Sequence, residues 1–441
     1  MLARTVICAL RSRGFLAYLA GGCVRDLLLG REPADYDVAT SAPPDEILRV
    51  FPAADLAGAH FGVVLVRESG AEVEVATFRS DHSYTDGRHP ARVKFETDPR
   101  QDVLRRDFTI NGLLMDPDTG EVLDYVDGGR DLGARLIRAI GEPGRRFAED
   151  HLRMLRAVRF ASCFGFEIEP ATFRAIRDLH ASIRQISAER VRDEFTRILC
   201  GGGARRGFEL LDAAGLLEDV LPEVARMKGV EQPPEFHPEG DVWTHTLMLL
   251  ELLERPAPSL AWAALLHDVG KPPAFSIRGR IRFDRHAAVG AEMAAAILGR
   301  LHASNELTGR VRALVAEHLR FKDVKRMRPS TLKRFLRSDH FEEHLELHRL
   351  DCLASHRLLG NYEFVKKKIE EIPSEDLRPE PLLNGDQLIA AGFRPGPCFG
   401  RILRVVEDAQ LEGSVRTAHE ALALVLDLFV PPDGQPKQAC K

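Results

Sequence analysis

The sequence predicts an α+β protein in which a small mixed α/β head is followed by a long helical body. Short apolar runs of strand length alternate with turns over residues 1–130. Helical spacing of apolar residues takes over after about residue 140, and a Pro-rich stretch at 233–240 interrupts it. With 441 residues the chain is too long for one compact core, so several domains are expected.

These changes in the spacing of apolar residues along the chain predict four domains. The head occupies residues 1–140, and a helical neck follows at 141–228. A third region at 229–370 and a helical tail at 371–441 complete the chain.

Bulk composition narrows the class of protein. The net charge is −5, so any nucleic-acid site has to be local. Seven cysteines without a C-x-x-C pattern fit reduced thiols, and we expect a cytoplasmic protein. Arginines interrupt the apolar N-terminal stretch, and no window approaches the roughly 20 apolar residues of a membrane span.

The head elements can be assigned in order. YLAGGCV is typical of a strand and a turn, VRDLLLG of a helix start, and DYDVAT of a second strand. FGVVLVRE and AEVEVATFR alternate around Ser69-Gly70, which predicts a hairpin. The polar, aperiodic segment RSDHSYTDGRHPARVKF predicts a long mobile loop.

Acidic side chains cluster in this predicted sheet. Asp35 and Asp37 are two residues apart, so on a strand they would share a face. Two such carboxylates raise each other's pKa unless a cation compensates. Oxygen ligands at an open site suit Mg²⁺, and Glu74 on a neighbouring strand is the expected third ligand.

A glycine turn precedes these acids. Gly21 and Gly22 let backbone N–H groups approach an anion, and Arg25 adds positive charge at the following helix start. Taken alone, a D-x-D pair or a Gly-Gly pair is most often an ordinary solvated turn. In the order strand, Gly-Gly, Arg-Asp helix and D-x-D strand, they are much more specific.

This order resembles the first motif of the class II tRNA nucleotidyltransferase and bacterial poly(A) polymerase family. RRDFTINGLLMD resembles the family's second motif, DYVDGGRDLGARLIRAIG its hinge motif, and EDHLRMLRAVRFA and SAERVRDEFTRIL the motifs that follow. The resemblance implies a polymerase-β-like nucleotidyltransferase head with a mixed β-sheet. It also implies template-independent addition of nucleotides from CTP and ATP to tRNA 3′ ends by a two-magnesium mechanism. Arg106 and Asp107 would lie near the sugar, with Asn111 as a further contact, and structural ion pairing is their alternative role.

The EDHLR segment has a chemical logic of its own. On a helix, Asp150 and Arg153 would lie on one face. An Asp acceptor beside an Arg donor complements the pairing edges of cytosine and adenine, whereas uracil and guanine would leave buried groups unpaired. Glu149 would position this pair. An exposed salt bridge is the alternative.

Seven arginines lie between Ala134 and Phe160 against three acids. We expect part of this run, including Arg156 and Arg159, to face the triphosphate. A solvated basic face is the alternative.

The family resemblance also limits which nucleotides the protein is expected to add. CC-adding members typically lack or shorten the loop that here holds Asp86, Arg88 and Pro90, which disfavours CC-only addition. Poly(A) polymerases tend to carry strongly basic extensions, and none is present here. Full CCA addition is therefore preferred to A-only addition, with poly(A) synthesis as a further alternative.

A spaced set of His245, His267-Asp268 and Asp351 resembles an HD-type metal phosphohydrolase domain. Imidazoles and carboxylates suit a divalent transition metal, whose identity the sequence leaves open. His286 and His318 could supply a second metal, and Lys271 could meet a phosphate. The resemblance suggests 2′,3′-cyclic phosphate or 2′-phosphate at RNA ends as substrates.

A basic stretch at 320–337, with eight Lys or Arg against one Asp, could hold the tRNA backbone or could be a plain solvated face. The expected partners are a tRNA 3′ end, CTP and ATP, with no membrane and with protein partners unknown. The main rival is an HD phosphohydrolase whose head merely binds nucleotide. A non-enzymatic RNA-binding module is a more distant one.

Overall fold

The computed structural model describes residues 2–56, 62–84, 90–235 and 237–429. The strands of the head are β1 (Ala17–Ala20), β2 (Asp37–Thr40), β3 (Asp55–Leu56), β4 (Val63–Glu68), β5 (Ala71–Thr77), β6 (Arg79–Tyr84), β7 (Pro90–Phe95), β8 (Leu113–Met115) and β9 (Val122–Asp124). Its helices are α1 (Leu2–Ser12), α2 (Gly22–Leu28), α3 (Pro44–Val50), α4 (Pro99–Leu104), a 3-10 turn (Thr109–Asn111) and α5 (Gly128–Gly133).

A mixed sheet organises the head. Within the described residues it has seven strands in the order β3-β4-β5-β2-β1-β8-β9. β2 and β5 run parallel, and the other pairs are antiparallel. The predicted strand-turn-helix over YLAGGCV and the hairpin around Ser69-Gly70 are confirmed.

The segment at 79–95 was wrongly predicted as a long loop. β6 and β7 pair antiparallel, with Arg79 opposite Phe95, in a separate two-stranded sheet. A ribbon that pairs only with itself needs no buried face, so its sequence lacks apolar alternation. Asp86 and Arg88 of the expected functional loop lie outside the described residues.

The body is mostly helical. Its elements are β10 (Leu136–Ile137), α6 (Pro143–Glu149), α7 (Leu152–Phe164), β11 (Glu167–Ile168), α8 (Pro170–Leu179), a 3-10 helix (His180–Gln185), α9 (Ala188–Cys200), α10 (Ala204–Ala213), α11 (Leu216–Val220), α12 (Pro222–Ala225), α13 (Val242–Glu251), α14 (Pro258–Leu266), α15 (Lys271–Ala274), β12 (Phe275–Ile277), β13 (Ile281–Phe283), α16 (His286–Arg300), α17 (Asn305–Glu317), a 3-10 helix (His318–Arg326), α18 (Pro329–Leu336), α19 (Phe341–Ala354), α20 (Gly360–Glu371), α21 (Ser374–Leu377), α22 (Gly385–Ala390), α23 (Pro397–Leu411) and α24 (Ala418–Leu428).

Two short sheets correct the expectation of an all-helical body. β10 and β11 pair in parallel where head and neck meet, and β12 and β13 form a hairpin ahead of α16. Both are too short to give a periodic apolar signal.

One hydrophobic cluster runs from α1 in the head through α7 and α9 to α14 and α19. The helix α14 is buried on all sides, which its nearly uninterrupted apolar sequence SLAWAALL explains. It packs between α9 and α17, and Trp262 donates to Thr196 Oγ1 on α9 at 3.0 Å. The tail has a core of its own over residues 383–429.

Among the cysteines, Cys8, Cys23, Cys163, Cys200 and Cys352 are free thiols. Cys398 is disulfide-bonded, which corrects the expectation of reduced thiols at that position. None of the helices in the described ranges is both long and apolar enough to cross a membrane.

Candidate active site and histidine–aspartate cluster

A cavity of about 520 Å³ lies where the head sheet meets the neck helices. Every residue predicted from sequence to bind the nucleotide lines it, together with Asp37. The full lining is Gly21, Gly22, Arg25, Asp37, Arg105, Arg106, Asp107, Asn111, Asp150, Leu152, Arg153, Arg156, Arg159, Phe160 and Arg190.

The glycine turn between β1 and α2 forms one wall. Gly21 has φ +71°, a conformation that favours glycine, and a Cβ there would lie 2.7 Å from Arg106 Nη1 and would displace that guanidinium. Arg25 is buried behind this turn, where its guanidinium donates to Asn111 Oδ1 at 2.8 Å and pairs with Asp26. The turn and the TIN segment of the second motif are thereby tied together.

The acidic cluster lies at the edge of the cavity. Asp37 begins β2, and Glu74 is its register partner on β5. Burial, the charge of Glu74 and the charge of Asp35 raise the pKa of Asp37 to about 6, and Arg106 opposes them. Asp35 is in the bend before the strand, so the expectation that both aspartates lie on one strand was wrong.

The carboxylates of Asp35, Asp37 and Glu74 repel one another, and a divalent cation would relieve this repulsion. Oxygen atoms are also the ligands that magnesium prefers. In the described part of the chain, however, the groups with three ligand atoms within 4.8 Å of one another all lie in the body, and they are His237–Glu239–His245, His245–His267–Asp351 and Asp268–His286–His318.

Arg105 and Arg106 of the second motif are both held by the carboxylate of Asp102. Asp102 is buried, and one of its oxygens accepts from Arg105 at 2.6 Å while the other accepts from Arg106 at 2.9 Å. Burial would raise the pKa of Asp102, but these two guanidinium groups lower it. Sequence reasoning missed Asp102 and Arg105, although three- and four-residue spacing to arginines on a helix is a usable signal.

Asp102→Asn is expected to raise the KM for CTP about tenfold, because both cavity arginines lose a charged partner worth about 1.5–3 kcal/mol. Steady-state incorporation at varied CTP measures the effect, and kcat is expected to change less. The control is Gln101→Ala on the exposed face of α4. If Asp102→Glu does not restore the KM, the carboxylate is not the positioning group.

Asp107 joins the second motif to the neck. It accepts from Arg156 at 2.6 Å and from the Asn111 amide at 3.0 Å. Burial would raise the pKa of Asp107, but the charge of Arg156 and these hydrogen bonds lower it well below its usual value. Arg159 pairs with the buried Glu194 of α9 at 2.7 Å.

The EDHLR segment departs from its predicted geometry. α6 ends at Glu149 and α7 begins at Leu152, so Asp150 lies in an extended break and does not share a helix with Arg153. Its carboxylate accepts from the Leu152 backbone N–H at 3.1 Å and from Arg190 of α9 at 3.0 Å. Arg190 was missed, since nothing in sequence links it to Asp150.

Arg153 is held differently. It donates to Glu149 at 3.0 Å and to the backbone oxygens of Arg146 and Arg105, also at 3.0 Å. Asp150 and Arg153 are therefore each held by a partner of opposite charge, Arg190 and Glu149 respectively.

A second cluster lies in the body. Its predicted members meet: His245 Nε2 is 3.2 Å from both His267 Nε2 and Asp351 Oδ1. Asp268 is central, with Oδ2 3.2 Å from His267 Nε2 and Oδ1 3.5 Å from His286 Nε2. His318 Nε2 is 3.9 Å from Asp268 Oδ1.

Backbone carbonyls orient three of the imidazoles. The Nδ1 atoms of His267, His286 and His318 contact the oxygens of Ala264, Phe283 and Val315, each three residues earlier, at 2.7–2.9 Å. His245 Nδ1 instead contacts Glu239 at 2.7 Å. With Nδ1 as donor, each Nε2 lone pair points into the cluster, which is the orientation of a metal ligand.

Several observations fit a metal ion here. His286 Nε2 is buried with no hydrogen-bond partner. The two Nε2 atoms 3.2 Å apart have the separation expected of nitrogens about 2 Å from one transition-metal ion. Burial lowers the pKa of His318 to about 3, which keeps it neutral. Burial would also lower the pKa of His245, but Asp351 and Glu239 raise it to about 9, so the carboxylates around this imidazole favour a positive charge, whether a proton or a metal ion.

Lys271 and part of the basic stretch at 320–337, which were predicted to contact phosphate, instead have partners within the protein. Lys271 is buried and bonds to Asp268 and Gln232, both at 2.6 Å. In the basic stretch at 320–337, Arg334 and Arg337 pair with Glu407 of the tail. The exposed cations of that stretch are Lys322, Lys325, Arg326 and Arg328.

Three family models match the chain. They are described as the poly(A) polymerase head domain (residues 17–138), a probable RNA and SrmB-binding site of polymerase A (165–228) and the HD domain (242–354).

Similar proteins span the chain. A CCA-adding enzyme of Lactobacillus delbrueckii subsp. bulgaricus is 33% identical over 424 residues, or 96% of both chains. One of Lactobacillus gasseri is 42% identical over 258 residues, a match that spans 58% of this chain and 65% of that relative. The crystal structure of a Bacillus stearothermophilus CCA-adding enzyme in complex with CTP has a TM-score of 0.76 at 27% identity, covering 97% of this chain and 96% of that one.

Proposed function

Because the chain belongs to the family of CCA-adding enzymes, we propose that it adds CCA to tRNA 3′ ends from CTP and ATP. The observation that carries this proposal is the single cavity that gathers Asp37, the glycine turn, the arginines and the base-reading pair. We assign residues 1–140 to the catalytic head, 141–228 to the neck, 229–370 to the HD domain and 371–441 to the tail.

In the reaction, the RNA 3′-oxygen attacks the α-phosphorus, the bond to the bridging α–β oxygen breaks, and pyrophosphate leaves. Asp35, Asp37 and Glu74 would hold magnesium, which would stabilise charge on the reacting phosphate and favour ionisation of the hydroxyl. The Gly22 turn and Arg25 bind phosphate, and Arg106, Asp107 and Asn111 fix the sugar side. Arg156 and Arg159 add positive charge from the neck.

Asp150 and Arg153 select the base. The carboxylate accepts from the exocyclic amine of cytosine or adenine, and the guanidinium donates to the adjacent ring nitrogen. Because Arg190 and Glu149 hold them, the pair presents one pattern to both nucleotides.

Asp150→Ala is expected to reduce discrimination for CTP and ATP against UTP and GTP about 10–100-fold, because the missing acceptor is worth about 1–3 kcal/mol. Ratios of kcat/KM for the four nucleotides measure it. The matched control is Asp193→Ala, an exposed acid on the helix that carries Arg190. Unchanged ratios would assign base selection to other groups.

The overall activity is tested with labelled CTP and ATP, separately and together, on tRNA ending at the discriminator base, at C or at CC. Ordered addition of CTP and then ATP is the expected result. Addition of A only to the CC end would make the protein an A-adding enzyme, and long A tails would make it a poly(A) polymerase. No incorporation would favour an HD phosphohydrolase with a nucleotide-binding head.

A second function is favoured by the histidine–aspartate cluster. A divalent transition metal in the HD domain would be held by His245, His267, Asp268 and Asp351, and a second one by His286 and His318 with Asp268. Such ions when bound supply activated water for attack on a phosphoester. The candidate substrates are RNA ends carrying a 2′,3′-cyclic phosphate or a 2′-phosphate.

The metal is identified by elemental analysis of the purified protein and by hydrolysis with each divalent ion added back after chelation. A cytoplasmic location is part of the same proposal, because tRNA and both nucleoside triphosphates are its substrates.

A further inference from the structure

The hairpin β12–β13 stands directly beside the histidine–aspartate cluster. It connects α15, which begins at Lys271, to α16, which begins at His286. At its base, the Phe283 ring lies 6.3 Å from the His286 ring, and Lys271 Nζ lies 5.4 Å from the Phe283 centroid. Its position is therefore tied to residues of the cluster.

Arginines cover the outer part of this hairpin. Arg278 and Arg280 form the tip, Arg282 lies on β13, and Arg285 follows it, all exposed. In the part of the chain that the structure describes, none of these four guanidinium groups has an ion pair or a side-chain hydrogen bond. Between residues 269 and 291, Asp284 is the single acid of the sequence.

Arginines on the adjoining helices behave differently. Arg300 of α16 pairs with Glu223, Arg310 of α17 with Glu343, and Arg312 with Glu292. The free charge is thus concentrated on the hairpin and does not reflect a general excess of arginine in this region.

Apolar side chains accompany this charge. Phe275 is 40% exposed and Ile277 is 71% exposed, both on β12. The Phe275 ring contacts the Phe283 ring at 5.9 Å, which holds it in place at the surface. An exposed aromatic ring next to unpaired arginines suits single-stranded nucleic acid, since a base can stack on the ring while phosphates meet the cations.

We propose that this arginine hairpin, residues 275–285, binds the single-stranded 3′ end of an RNA and guides its terminal phosphate into the histidine–aspartate cluster. The proposal rests on the phosphohydrolase function proposed above. Four separate cations match a chain of phosphates better than the single phosphate of a mononucleotide. The HD domain is therefore expected to act on RNA ends in preference to free nucleotides.

The test uses the full chain loaded with its metal and two probes, a five-nucleotide RNA ending in a 2′,3′-cyclic phosphate and the mononucleotide 2′,3′-cyclic AMP. The variant Arg278→Gln/Arg280→Gln/Arg282→Gln is expected to raise the KM for the RNA at least about tenfold and to leave mononucleotide hydrolysis unchanged. The slope of log affinity against log salt should fall by about 0.7 for each lost phosphate contact. Replacing the same three arginines by lysine keeps the charge and should retain most of the binding.

A readout without hydrolysis separates this proposal from the phosphohydrolase proposal. RNA carrying 4-thiouridine next to its 3′ end is crosslinked to the protein, and the crosslinked peptides are identified by mass spectrometry. Crosslinks within 275–285 that disappear in the glutamine variant support the hairpin even if no hydrolysis is found. Crosslinks confined to the head and neck, or equal RNA affinity in the wild type and the glutamine variant, would overturn it.

Discussion

Asp37→Asn is expected to reduce incorporation of CTP at least about 10³-fold, because a divalent ion at this site contributes several kcal/mol of charge stabilisation. Asparagine keeps the size of the side chain and removes the charge. Asp37 is the acid of the cluster that both lines the cavity and pairs in register with Glu74. The substitution therefore removes the carboxylate that we propose as the magnesium ligand between the sheet and the nucleotide.

Single-turnover addition of labelled CTP to tRNA ending at the discriminator base measures this effect. Glu72→Gln is the control, since Glu72 is two residues before Glu74 on β5 and pairs with Arg67. Hydrolysis of 2′,3′-cyclic AMP by the same preparation shows that the body remains folded. Incorporation within tenfold of the wild type would exclude Asp37 as a metal ligand.

The second large effect concerns the other cluster. Asp268→Asn is expected to abolish phosphoester hydrolysis by about 10³-fold or more and to leave incorporation of CTP and ATP unchanged. Asp268 faces four imidazoles and Lys271. Burial would raise the pKa of Asp268, but Lys271, His267 and His286 lower it well below the usual value. Metal content measured on the purified variant is expected to fall with activity.

Because Asp268 also neutralises the buried Lys271, its removal carries a risk of unfolding. Asp351→Asn avoids this risk, since Asp351 contacts His245 and has no lysine partner in the described structure. Glu292→Gln, an exposed acid on α16, is the control. Full hydrolysis by Asp351→Asn with unchanged metal content would remove the cluster from the reaction.

Sequence reasoning recovered what depends on local order along the chain. The D-x-D pair and the Gly-Gly turn each lie at the end of one recognisable element. The H…HD…D set is spread over α13, the end of α14 and α19, and its resemblance to a known domain identified it. Sequence reasoning was wrong about the helix through Asp150. Helical periodicity continues across the break there, so the apolar pattern carries no sign of it.

Contacts between distant elements were out of reach. Arg190 supports Asp150 from 40 residues away, and Thr196 on the same helix meets Trp262 of α14. Lys271 was predicted to meet a phosphate, but it is buried beside Asp268. This burial depends on the packing of α15 against α16, which the sequence does not show. Such pairings depend on tertiary packing and leave no short-range signature in a single sequence.

The way in which the imidazoles are oriented has a consequence for how the HD domain tolerates mutation. Three of the four histidines are fixed by carbonyl groups of their own helix or turn, and a main-chain acceptor is present whatever side chain is attached. Substitutions at the residues that supply these carbonyl groups can therefore leave the orientation of the three rings unchanged. Among these four histidines, His245 is the one oriented by a side chain, that of Glu239. A substitution of Glu239 is therefore expected to disturb the orientation of an imidazole more than a substitution at any of the three carbonyl positions.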